Sequence, residues 1–161
     1  AQTAVFTSQG IPFIQAGEEV MRDKKGVHNS YQSPDSINAI DWNRKTVNAD
    51  VFAYYKGLIQ MRKNHPAFRM GDADAVRKYL EFIPVGGSNV VAYRLKGHAG
   101  GDAWEDIYVV LNSRKEVAEV TIPEGKYTIV CRDGFISEQG LGTMYGPVIS
   151  VPAQSALIFY K

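Results

Sequence analysis

Seven short β-rich runs crowd the second half of this chain, and they restrict the fold more than any other feature. They cover 81–85, 90–94, 107–112, 117–122, 126–131, 148–151 and 156–160. Turn-forming stretches separate them, among them Gly87-Ser88-Asn89, Asn112-Ser113-Arg114, Pro123-Glu124-Gly125 and Asp133-Gly134. Short strands punctuated in this way pack as an antiparallel β-sandwich. Val117, Glu119 and Thr121 alternate with Ala118, Val120 and Ile122, the period of a strand with one wet face. Tyr108 to Leu111 is apolar on both faces, which predicts a central strand.

The first half has a different texture. Residues 1–8 read as the last turns of a helix, stopped by Gly10 and Pro12. A brief buried strand is expected over 12–16. A polar, irregular loop follows over 20–47, and a loop of that length is usually functional or disordered. Asn48 is placed to cap a helix, with Asp50 in its first turn. Val51, Tyr54, Tyr55, Leu58, Ile59 and Met61 or Arg62 recur at helical spacing, and Pro66 ends the helix. One or two further helical turns are expected over 72–79, capped by Asp72 or Asp74. The chain divides into 1–70 and an all-β domain over 71–161.

Composition removes several function classes. The net charge is +1 with no basic block, so nucleic acid is not an expected partner. No apolar run approaches the roughly 18–20 residues of a membrane span. No signal peptide is visible, and the parent's location stays open, secretion included. A single cysteine, Cys131, excludes an internal disulfide. Three histidines without ligand spacing predict no metal, and no cofactor is expected. The opening Ala1-Gln2-Thr3-Ala4-Val5 reads as mid-helix, so a piece of a longer protein is expected.

The run Gly10-Ile-Pro-Phe-Ile-Gln-Ala-Gly-Glu-Glu19 resembles the eighth barrel strand of the α-amylase superfamily of glycoside hydrolases. The segment from His28 to Trp42 is similar to the loop after that strand in type I pullulanases, and Tyr54 to Arg69 resembles the closing helix of the same barrel. In that family a small all-β domain follows the barrel. The implied architecture is mainly β: an antiparallel β-sandwich preceded by the last strand, loop and helix of a truncated (β/α)8 barrel. The implied parent is a retaining debranching enzyme acting on α-1,6 bonds of an α-glucan such as pullulan, branched starch or glycogen. Its catalytic carboxylates lie on earlier strands, so this chain is expected to have no catalytic residues and no activity alone. The alternatives are a free-standing carbohydrate-binding module and a structural interaction domain without catalysis. An eighth strand without neighbours exposes apolar surface and backbone groups, so residues 1–47 are expected to be displaced, partly disordered, or paired in a homodimer.

The resemblance implies substrate contact by Asp35, in the position of a loop carboxylate that binds sugar hydroxyls. Asn38 stands where relatives of other specificity often carry Arg. An amide both donates and accepts, and Tyr31 or Trp42 offers an apolar face to a sugar. The competing account makes Asp35 and Asn38 turn residues, Tyr31 a packing group and Trp42 a packed anchor. Glu18 and Glu19 are adjacent, so on a strand they point to opposite faces and cannot converge on one atom. His65 reads as a polar filler. His28 is read the same way, with lining the site as the alternative. Cys131 reads as a small buried hydrophobe. Trp104 is either an exposed sugar platform or a packing residue.

Overall fold

Strand β3, Ile107–Asn112, is apolar up to its closing Asn112 because both of its faces are covered. A computed structural model describes residues 1–161. It pairs β3 with β2, Val90–Leu95, on one side and with β9, Ser155–Tyr160, on the other. β1, Leu80–Phe82, forms the far edge beside β2. β5, Lys126–Arg132, lies beyond β9, and its outer side is shared by β6, Phe135–Ile136, and β7, Gly142–Tyr145. The order is β1-β2-β3-β9-β5-β6, with β7 also on β5, and every ladder is antiparallel.

Alternation along each strand sorts side chains between two cores. Ala92, Tyr108, Val110, Leu157 and Phe159 face a ribbon made of β4, Ala118–Thr121, and β8, Val148–Val151. The ribbon contributes Val120, Ile149 and Val151 to that core. Tyr108 stacks on Phe159 with centroids 4.8 Å apart, and Tyr127 meets both rings edge-on at 5.4 Å. Tyr93, Leu95, Ile107, Val109 and Ile158 face the helices instead. β5 changes allegiance partway. A register shift between Ile129 and Cys131 puts Ile129 in the first core and both Val130 and Cys131 in the second. The expected sandwich is thus lopsided: one seven-stranded sheet, a two-stranded ribbon on one face and helices on the other.

The helical layer is built around α4, Ala49–Asn64, which buries Tyr55, Leu58, Met61 and Arg62. It follows α1, Gln2–Thr7, and two single-turn helices, α2 over Asp35–Asn38 and α3 over Arg44–Val47. α5, Ala73–Tyr79, is capped by Asp72, whose carboxylate accepts from the Ala75 N–H at 3.0 Å. Arg62 reaches from α4 to donate to the Phe6, Ser8 and Gly10 carbonyls, satisfying acceptors at and beyond the end of α1. Phe6 packs edge-on against Tyr55, and the Tyr93 hydroxyl donates to the Thr7 carbonyl at 2.9 Å. Helices and sheet therefore share one core.

Three expectations change. Residues 11–15 form no strand, and Ile11 and Phe13 are 96% and 93% exposed. A parallel strand exists only where neighbours bond its backbone, and no strand of this chain lies beside it. Asn48 occupies the cap position of α4 but does not cap with its side chain. Its amide donates to the Val20 and Arg44 carbonyls and ties the preceding loop down. β6 and β7 were not expected, because two residues and a glycine-led run carry too little alternation to register.

Candidate functional site

The polar segment 21–43 is shaped by its own side chains. Arg22 donates to the Ala16 carbonyl at 3.2 Å and to the Asn38 carbonyl. Lys24 Nζ donates to Ser30 Oγ at 2.8 Å and to Asn38 Oδ1 at 2.7 Å. The Asn38 amide nitrogen donates to the carbonyls of Ser30 and Ser33, each at 2.7 Å. Both amide hydrogens of Asn38 are thereby used inside the loop.

Asp35 is treated differently by the fold. It opens α2 after Pro34, it is exposed, and its carboxylate accepts no hydrogen bond from the chain. Side-chain turn chemistry therefore does not occupy it. Tyr31 is 78% exposed and Trp42 63%, so neither is packed under the loop. For Trp42 this corrects the packed-anchor expectation: the indole precedes α3 and most of its surface is exposed. His28 is exposed as well. A free carboxylate, a hydroxylated ring and an indole on one loop can accept from hydroxyls and cover the C–H faces of a polyhydroxylated ligand.

Glu18 and Glu19 lie in a 3-10 turn, Glu18–Val20, rather than on a strand. Glu18 accepts from the Gln2 amide and Glu19 from the Gly17 N–H, both at 3.0 Å. The adjacency argument assumed a strand; in the 3-10 turn each carboxylate instead accepts a hydrogen bond from a nearby part of the same chain. A cleft of about 720 Å³ opens beside α1 and is lined by none of Tyr31, Asp35 and Asn38. Its Tyr54 hydroxyl is bonded to Thr3 Oγ1 at 2.7 Å and to Cys131 Sγ at 3.2 Å. Burial pushes the Cys131 thiol up to about 11 against the opposing Tyr54 bond, so it stays protonated and inert.

One polar cluster was missed. His65 Nδ1 meets Asp102 Oδ1 at 2.8 Å, with both residues buried. Asp102 also accepts from the N–H groups of Trp104 at 3.0 Å and Ala67 at 3.2 Å. Burial alone would raise the Asp102 carboxyl. The His65 bond, the two amides and the charge of His65 outweigh it and hold the carboxyl below its ordinary range. His65 stacks on Trp104 at 3.5 Å, and Trp104 stacks on Tyr160 at 4.1 Å. Both faces of the indole are covered by rings, so Trp104 packs and is no sugar platform. The partners are 37 residues apart in sequence, and no spacing rule links them. No group of three or more His, Cys, Asp or Glu side chains is arranged to hold a metal, and no helix is long and apolar enough to cross a membrane.

A family model described as pullulanase, all-beta domain, matches residues 76–134. A pullulanase structure from Bacillus acidopullulyticus is 43% identical, with a TM-score of 0.93 over 99% of this chain and 19% of its own. A pullulanase from Anoxybacillus sp. LM18-11, solved in complex with maltotetraose, is 34% identical, with a TM-score of 0.85 over 99% of this chain and 22% of its own. The curated pullulanase of Bacillus subtilis (strain 168) is 38% identical over 81% of this chain and 18% of its own length. The chain thus spans about a fifth of the length of the relatives it matches.

Proposed function

From its homology to the C-terminal region of the pullulanases, debranching enzymes of the α-amylase superfamily, we propose that this chain is the C-terminal part of an α-glucan debranching hydrolase. Residues 1–70 are the end of its catalytic barrel and 71–161 its all-β domain. The parent cleaves α-1,6 bonds by the retaining route. That route needs two carboxyl groups about 5–5.5 Å apart on rigid supports. Glu18 and Glu19 sit side by side in one 3-10 turn and accept from Gln2 and Gly17 of this same chain, which is not an arrangement of two carboxylates facing each other across a bound sugar. The chain by itself is therefore inactive and acts as an accessory, stabilising part. The loop with Tyr31, Asp35 and Asn38 is its contribution to glucan binding. Asp35 accepts from sugar hydroxyls, Tyr31 covers an apolar sugar face, and Asn38 belongs to the frame that carries them.

The observation that supports this reading over a free-standing binding module is the extent of the structural likeness. It runs through residues 1–70 as well as through the all-β part. A module would have no use for the loop and helix of 21–64.

A reducing-sugar assay on pullulan tests the proposal. The expected result is no turnover by the chain alone. Turnover that Glu19→Gln abolishes would place catalysis here and overturn the reading. Calorimetric titration with maltotetraose supplies a second check: micromolar affinity of the chain alone would favour the module instead.

A further inference from the structure

Asn38 and Asp35 lie three positions apart on one helical turn, yet the structure assigns them opposite work. Asn38 spends both amide hydrogens on the Ser30 and Ser33 carbonyls, and its oxygen accepts from Lys24. Asp35 spends nothing on the chain. We infer that Lys24 is a positioning residue for the glucan loop, acting through Asn38 and Ser30 to fix the turn that carries Tyr31 and Asp35. This rests on the glucan-binding reading of that loop.

The chemistry of the contacts supports this role. Lys24 forms no ion pair within the chain, although Asp23 is its neighbour in sequence. Its ammonium instead bonds two neutral oxygens on separate parts of the loop, Ser30 Oγ and Asn38 Oδ1. A solvated charge has no such fixed partners, whereas an ammonium with three donors can join two strands of a loop that share no ladder. Asn38 then closes the 30–33 turn in parallel with the backbone bond from Ser33 N–H to the Ser30 carbonyl at 3.0 Å. Arg22 bonds the end of α2 through the Asn38 carbonyl. The clasp leaves no polar group of Asn38 free to donate to a sugar, and it leaves the Asp35 carboxylate fully available.

Amide hydrogen exchange on the chain, without glucan, reads the clasp directly. Lys24→Met and Asn38→Ala are expected to speed exchange at Ser33 and Ala39 by about tenfold while Val109 in β3 is unchanged. Lys24→Arg, which keeps a cationic donor, is expected to restore slow exchange, and Asp35→Asn to leave it at the wild-type rate. Unchanged Ser33 and Ala39 rates in both Lys24→Met and Asn38→Ala would overturn the inference. So would a Lys24→Arg variant that exchanges as fast as Lys24→Met. Because no sugar is present, the exchange result stands or falls independently of the pullulan assay, which tests the glucan reading.

Discussion

At the residue scale, Asp102 is a buried carboxylate on which three hydrogen bonds converge, two of them from the end of the helical layer. It accepts from His65, Trp104 and Ala67 in a buried setting, so its removal strands three donors. Asp102→Ala is expected to destabilise the chain by about 3 kcal/mol in urea denaturation at neutral pH. The pH dependence follows from the depressed carboxyl. A group whose folded pKa lies below its ordinary 3.8 contributes stability that is present above 3.8 and is lost as pH falls through the folded value. The gap between wild type and Asp102→Ala should therefore narrow in acid. A gap that stays constant from neutral pH into strong acid would show that ionised Asp102 is not what holds this cluster. Neither residue of this pair was legible beforehand. Polar residues that pair across long chain separations leave no local pattern, and a lone histidine before a proline has many uses.

At the element scale, the helix α4 and the strand β6 approach closely, and Gly57 allows it. A Cβ built there would sit 2.0 Å from Ile136 Cγ2. Gly57→Ala gains helix propensity but forces that contact apart, with a net cost of about 1–3 kcal/mol expected. Combining it with Ile136→Ala should recover part of the loss, read as a favourable coupling energy in a double-mutant cycle. Additive effects would mean that the close approach carries no energy. All seven expected strands form, with ends shifted by no more than a few residues, because alternation and turn residues are local signals. The extra strands β6 and β7 escape that signal, being short and held by β5 rather than by their own pattern. The expected strand over 12–16 fails for the complementary reason. Its apolar composition is real, but a strand is completed by its neighbours.

At the scale of the whole molecule, the first third of the chain carries several exposed apolar side chains. Ile11, Phe13, Tyr31, Trp42 and Val47 are all at least 63% exposed and all lie in residues 1–47. Solitary exposed apolar groups are ordinary, and Phe82, Phe135 and Tyr145 are exposed to a similar degree in the all-β part, so whether the cluster in 1–47 associates is a matter for measurement. Light scattering across a concentration series is expected to show self-association, weakened by Phe13→Ser together with Ile11→Ser. A monomer at every concentration would remove the homodimer from consideration. Sequence alone determined the β-rich second half, a helix beginning after Asn48 and broken by Pro66, a cap at Asp72 or Asp74, and the resemblance to the debranching enzymes. These depend on periodicity and local backbone preference, which a single chain writes out residue by residue. Only the tertiary structure decided that the sheet is faced by a ribbon and helices, that His65 finds Asp102, and that Asn38 turns inward while Asp35 stays free. Those outcomes depend on which groups the fold brings within hydrogen-bond distance, and that distance is set by packing rather than by position in the chain.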